Sequence, residues 1–256
     1  MNPDLELALE MAKAADIVAM SKFRSLELSV ETKPDFTPVT EVDRAIETAI
    51  RETLARHRPE DGVIGEEFPN TNVQAQRVWI IDPIDATKNY IRGVPVWGTL
   101  IALAVAGEPV VGVVSAPAMG RLWWSSPQDG AFTKDVDGSI RAINVSGVKS
   151  LADASFSFSD FVGWEVFKSG ALQELTSAVW RTRGYGDFWS HLLVAEGAID
   201  IAIEPQLQTY DMAAFIAIVQ GAGGKVTGAK GQSAMDAGQA ISTNSILHTE
   251  VLNFLN

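Results

Sequence analysis

Apolar residues recur at three- and four-residue intervals over residues 4–24, through Leu5, Leu7, Ala8, Met11, Ala15, Val18 and Ala19. That spacing predicts a long opening helix with one buried face. The pattern breaks over residues 28–40, where Lys33-Pro34-Asp35-Phe36-Thr37-Pro38 predicts a loop. A second helix is expected from Thr40 to His57, with Thr40, Glu41 and Asp43 giving it an acidic first turn that suits the helix dipole. Shorter apolar runs follow, of strand type: residues 62–65 and 78–82, then a meander over 97–125 in which Gly107-Glu108-Pro109 turns Leu100–Ala106 into Val110–Ser115. Leu122-Trp123-Trp124 and Gly130-Ala131-Phe132 extend the same meander. The remainder alternates: strand 154–159, helix 171–180, strand 181–186, helix 187–197, strand 199–203, helix 211–222, strand 240–243 and helix 245–255. Asp187 is a good N-cap for the helix it precedes, and Gly221-Ala222-Gly223-Gly224 closes the next one. Alternating strands and helices without repeat or linker predict a layered α/β body, a single domain made of two packed halves at roughly residues 1–145 and 146–256.

The most specific local pattern lies where the run Trp79-Ile80-Ile81 ends in Asp82-Pro83-Ile84-Asp85-Ala86-Thr87. Pro83 drives Asp82 toward extended geometry. A buried strand thus delivers two carboxylates to its carboxyl end, just before a helix start. Carboxylates suit hard cations such as Mg²⁺, and free amides at a helix start suit phosphate. A turn with a capping aspartate is the plain alternative for this pair.

Composition narrows the chemistry. With 256 residues and 46% hydrophobic content the chain can bury a large core. It has no cysteine, which excludes disulfides, thiolate zinc sites and thiol catalysis, and its three histidines leave little for a histidine metal site. A net charge of −12 argues against nucleic acid as a partner. No segment approaches the roughly 20 apolar residues that cross a bilayer, and the first residues lack the basic and apolar regions of a signal peptide. A cytoplasmic protein is expected.

Four motifs in order resemble the inositol monophosphatase family of Mg²⁺-dependent, lithium-sensitive phosphatases: Thr40-Glu41-Val42-Asp43, Gly65-Glu66-Glu67, Asp82-Pro83-Ile84-Asp85-Ala86-Thr87, and Tyr210-Asp211 with Ala213-Ala214 and Gly223-Gly224. The resemblance implies the family's alternating αβαβα sandwich, shared with fructose bisphosphatases, and a homodimer. It implies about two or three Mg²⁺ ions per site, held by Glu66, Asp82, Asp85 and Asp211 through side chains and by Ile84 through its carbonyl. Asp43 and Thr87, assisted by Glu66, would orient an attacking water and take its proton, while the amides of Ala86 and Thr87 receive the phosphate. No phosphoenzyme is implied.

Within the family, Arg183-Gly184-Tyr185-Gly186-Asp187-Phe188-Trp189-Ser190, with an acidic residue followed by aromatics, and Lys88-Asn89-Tyr90-Ile91-Arg92-Gly93-Val94-Pro95-Val96-Trp97 resemble the branch that dephosphorylates histidinol phosphate. Asp187 and Glu204 are then candidates for the ammonium and imidazole of that substrate, with Asn244 a further candidate for the imidazole. Inositol 1-phosphate is the alternative substrate, and a weakly active binding relative the alternative of another kind. Sugar bisphosphates and nucleotide 3′-phosphates would need a basic pocket for a second phosphate. Asp187 and Asp211 could instead serve as helix caps, Glu66 and Glu67 as solvated charges, and His191 as a packing or surface residue; Lys33, in the loop before Thr40, could approach the site but is expected to be a surface lysine. Trp97, Trp123 and Trp124 are expected in the core. Two departures stand out: Ala86 replaces a family glycine, costly if φ is positive there, and Tyr210 replaces a tryptophan.

Overall fold

The computed structural model describes residues 2–33 and 38–256; most of the loop expected at 33–38 lies outside these residues. The chain opens with α1 (Pro3–Lys22), β1 (Val30–Thr32), β2 (Pro38–Thr40), α2 (Glu41–His57), β3 (Gly62–Gly65), β4 (Arg77–Asp85) and α3 (Thr87–Arg92). The meander follows as β5 (Gly98–Val105), β6 (Glu108–Ala116), β7 (Arg121–Ser126), β8 (Gly130–Lys134) and β9 (Ile140–Ala142). The second half contains β10 (Ser155–Ser157), α4 (Ala171–Ala178), β11 (Arg181–Thr182), α5 (Asp187–Ala195), β12 (Ile201–Glu204) and α6 (Thr209–Gly221). It ends with β13 (Lys225–Thr227), α7 (Ala234–Ala237), β14 (Ala240–Thr243) and α8 (His248–Leu255).

Strands β3 to β9 form one sheet in sequence order, parallel only at β3–β4. A second sheet has the order β11-β10-β12-β14-β13. Helices α1 and α2 cover the outer face of the first sheet, α5 and α6 lie between the sheets, and α4 and α8 cover the far face of the second. The result is the expected αβαβα sandwich. Its strands show why both faces must be apolar: in β5, Ile101 and Leu103 point to α1 and α2, while Leu100, Ala102 and Ala104 point to the central layer. The central layer packs very closely. A Cβ on Gly112 of β6 would stand 2.2 Å from the Ala214 carbonyl oxygen of α6, so only glycine lets the helix rest on the strand.

Local chemistry sets the boundaries. Thr40 caps α2, accepting from the amides of Val42 and Asp43, and Asp43 returns the bond to the Thr40 amide at 2.8 Å, a capping box. Several boundaries differ from expectation. Residues 28–40 are not simply a loop, because β1 and β2 pair antiparallel from Val30↔Thr40 to Thr32↔Pro38. The strand expected at 181–186 stops at Thr182, and the last helix starts at His248. Trp97 and Trp123 are fully buried as expected, while Trp124 is half-buried and stacks on Phe132 at 5.9 Å.

Candidate active site

Strand β4 carries its acids to the seam between the layers. The β4–β5 register is regular to Asp82↔Leu100 and resumes at Asp85↔Gly98, leaving Pro83 and Ile84 out of the ladder. The Thr99 hydroxyl takes up the Pro83 carbonyl at 2.8 Å, and the Thr87 hydroxyl donates to the Ile84 carbonyl at 3.0 Å. The irregularity turns Asp82 and Asp85 toward Asp211, near the start of α6. Carboxylate oxygens of Asp82, Asp85 and Asp211 lie within 4.8 Å of one another. Asp211 also accepts from the Gln208 amide at 2.6 Å, so it caps its helix while facing the cluster.

Burial and mutual repulsion push these acids upward. Burial, then the charge of Glu66 and the other acids, raises Asp82 well above the usual carboxylate range. Burial and Asp187 do the same for Asp85. Asp211 is pushed to about 7 by burial, despite the Gln208 amide. Asp43 lies fully buried, with one oxygen held by Thr40; burial raises it to about 6. Oδ1 of Asp43 and Oδ1 of Asp82 are buried without a partner among the described residues. Hard oxygen donors, unspent lone pairs and uncompensated negative charge fit a divalent cation such as Mg²⁺. The Ile84 carbonyl, free of the ladder, has a lone pair left for the same purpose.

Glu66 lines the same cleft, but its carboxylate is gripped by Lys33 at 2.8 Å, which also holds Glu67 at 2.6 Å. Lys33 is thus no ordinary surface lysine. Burial opposes its charge, yet Glu66 and Glu67 raise its pKa overall, and burial pushes Glu67 to about 7. Behind this pair stands a residue the sequence did not single out. Glu47, one turn beyond Asp43 on α2, is fully buried and accepts from the amides of Glu67 at 2.7 Å and Phe68 at 3.3 Å, and from Arg51 at 2.7 Å. A Cβ on Gly65 would lie 2.1 Å from Glu47 Oε1, which explains the glycine. The i, i+4, i+8 acid–acid–base stripe Asp43, Glu47, Arg51 was the available signal.

Ala86 adopts φ 64° and ψ 46°, the left-handed region, so it is not a first helical residue and the strain foreseen for a positive φ is present. No side chain among the described residues caps α3, which leaves the amides at its start open to an anion. The cleft beside them has a volume of about 690 Å³ and is also walled by Lys88, Ser159, Asp160, Tyr185 and Asp187.

Asp187 is not the N-cap of α5. Gly186 holds that position, and Asp187 sits at φ 45° with its carboxylate free of capping. Its amide donates to Ser159 Oγ at 2.7 Å, and the next amide, of Phe188, donates to Asp85 Oδ2 at 3.0 Å. Ser159 in turn donates its amide and hydroxyl to Glu204 Oε1 at 2.9 and 2.5 Å. Ser159, which the sequence did not mark, thereby ties Glu204 to Asp187. Burial raises both acids, Glu204 to about 7. Asn244 is not brought to the cleft: its amide group donates to Ser146 Oγ and the Val148 carbonyl, and its oxygen accepts from the Leu247 amide. A side chain so fully engaged holds loops together, and the expected imidazole contact is withdrawn.

Carboxylates that repel one another without a cation, next to amides suited to an anion, are the working parts of a cation-dependent phosphatase. The sequence model of the inositol monophosphatase family matches residues 1–254. Histidinol-phosphatase of Streptomyces coelicolor is 52% identical over 99% of this chain and 97% of its own. Histidinol-phosphatase of Mycobacterium tuberculosis is 51% identical over 100% and 98%. Among solved structures, the Bartonella henselae suppressor protein SuhB superposes with a TM-score of 0.87 at 27% identity, covering 98% of this chain and 97% of its own. The inositol monophosphatase of Thermotoga maritima gives 0.86 at 28%, over 99% and 96%. The chain belongs to the inositol monophosphatase family.

Proposed function

We propose that this phosphatase hydrolyses L-histidinol phosphate to L-histidinol and phosphate, a step of histidine biosynthesis. The observation that carries the reading is the second acidic pair, Asp187 and Glu204, linked through Ser159 and set beyond the cluster of Asp82, Asp85 and Asp211. A leaving group with an ammonium and an imidazole needs such acceptors, and an inositol ring does not need charge. The kinship to two histidinol-phosphatases over nearly the whole chain supports the same substrate.

Asp82, Asp85, Asp211, Glu66 and the Ile84 carbonyl would hold Mg²⁺, roughly two or three ions. Bound there, Mg²⁺ would neutralise the cluster and supply Lewis acidity toward phosphate and water. The amides of Ala86 and Thr87 receive the phosphate oxygens. Thr87 gives its own proton to the Ile84 carbonyl, so its oxygen can accept from the attacking water. Asp43, with one oxygen fixed by Thr40 and the other unpartnered, takes the proton. Lys33 must release Glu66 for that carboxylate to turn to a cation. The proposal extends to a homodimer, inhibition by lithium and a cytoplasmic location; no described helix is long and apolar enough to cross a membrane.

The test is phosphate release from histidinol phosphate and from myo-inositol 1-phosphate, each with Mg²⁺ and with EDTA. A preference for histidinol phosphate that EDTA abolishes is expected. A preference for the inositol ester would overturn the substrate while leaving the site chemistry standing. Activity untouched by EDTA would overturn the cation assignment.

A further inference from the structure

His191 lies in the middle of α5 and is fully buried. Its Nδ1 is 2.7 Å from Ser242 Oγ of β14, and its ring stacks on Phe215 of α6 at 3.9 Å with an interplanar angle of 1°. These two contacts fix the imidazole in position and in plane. Its Nε2 is buried with no partner among the described residues. A buried ring nitrogen left unpaired is costly, so its partner has to be sought nearby.

The ring lines a small cavity of about 30 Å³. Four carboxylates share its wall: Asp85 and Asp211 from the cation side, Asp187 and Glu204 from the leaving-group side. The volume suits one water molecule, which needs roughly 10–15 Å³ and two to four polar partners. Burial also keeps the imidazole neutral, pushing it down to about 3. A neutral ring facing acceptors places its proton on Nε2, with the Ser242 hydroxyl donating to Nδ1.

We propose that His191 is a positioning residue: its Nε2–H holds one ordered water in this cavity, and the water bridges the cation-side acids to the leaving-group acids. The water accepts from Nε2 and donates its two protons to one carboxylate of each pair. The two functional ends of the cleft are then set by a single donor that touches neither substrate nor cation. This rests on the functional reading above for the naming of the two ends, but not for the water or the tautomer.

Three measurements test it. Long-range ¹⁵N–¹H spectra of histidine-labelled protein at pH 7.5, with His191 assigned by its loss in His191→Phe, should show the Nε2–H tautomer; the Nδ1–H tautomer would overturn the proposal. A crystal structure of the Mg²⁺ form should show a water within hydrogen-bond distance of Nε2, and a dry cavity would overturn it. His191→Phe keeps the stack on Phe215 and removes the donor. By calorimetry it should bind Mg²⁺ about tenfold more weakly, with KM for histidinol phosphate raised by a similar factor. Unchanged Mg²⁺ affinity in a folded variant would refute the bridging role. Should His191→Phe fail to fold, Ser242→Ala removes only the partner of Nδ1, so the Nε2–H signature held by the water should persist; a switch to the Nδ1–H tautomer would refute it. If histidinol phosphate proves not to be a substrate, the tautomer, water and Mg²⁺ readouts still decide the matter.

Discussion

Asp16 offers the cleanest test of the electrostatics, because it lies on α1 away from the acidic cluster. Its carboxylate is largely buried against β6, and its hydrogen bond comes from Ser115 Oγ at 2.9 Å, with Oδ1 unpartnered among the described residues. Burial raises its pKa from 3.8 to about 6, against the lowering effect of Ser115. A shift of about two units corresponds to about 3 kcal/mol as an upper bound. The sign follows from proton uptake. Between pH 4 and 6 the folded state holds a proton that the unfolded state has lost, so stability falls as pH rises through that window. Above it the ionised, buried carboxylate exerts its full destabilising effect. Asp16→Asn can still accept the Ser115 bond and cannot ionise. The variant should match wild type within error at pH 4 and exceed it by about 2–3 kcal/mol at pH 7.5. Urea unfolding of both proteins at half-unit intervals, in EDTA throughout, measures this. Taking the difference between the two curves removes the titration of the acidic cluster, which both share. A difference that stays constant from pH 4 to 7.5 would refute the reasoning.

Glu47→Ala would leave Arg51 and the amides of Glu67 and Phe68 without their acceptor, at about 3–5 kcal/mol of stability, read by urea unfolding; a loss under about 1 kcal/mol would deny its role behind Glu66. Ala86→Gly relieves a left-handed alanine worth about 1–2 kcal/mol but gives back about 0.4–1 kcal/mol through the unfolded chain, so stability should rise by no more than about 1.6 kcal/mol. Phosphatase activity of that variant at or above wild type is expected, and a large loss would show the methyl group to be useful. Asp187→Ala should lower kcat/KM for histidinol phosphate about tenfold or more and that for a neutral phosphate ester far less. Equal losses on both substrates would remove Asp187 from recognition.

The layers and the acidic cluster were legible because each is written in adjacent residues. Trp79-Ile80-Ile81 followed by Asp82 and Asp85 carries its strand, its end and its chemistry in one run. What stayed hidden depends on residues far apart in sequence. Lys33 reaches Glu66 across 33 positions, and Ser159 reaches Glu204 across 45. Glu47 looked like any helix acid until the Gly65 segment was laid over it. Asp187 was misjudged for the opposite reason, since a common local preference for capping was overridden by the Ser159 and Asp85 contacts that shape the turn. Asn244, plausible by position, was taken up by the loops around it.

Gly112 bears on more than packing. Two of the clustered acids belong to the first sheet and the third to α6, so the gap among them is the gap between two layers. Where α6 touches β6, that gap is gauged by a hydrogen atom in place of a methyl group. A residue with no polar side chain, outside the cleft, therefore calibrates how far apart three oxygens stand, and with it the size of ion they can grasp. Selection for one cation over another could act on the thickness of the protein as readily as on its ligands.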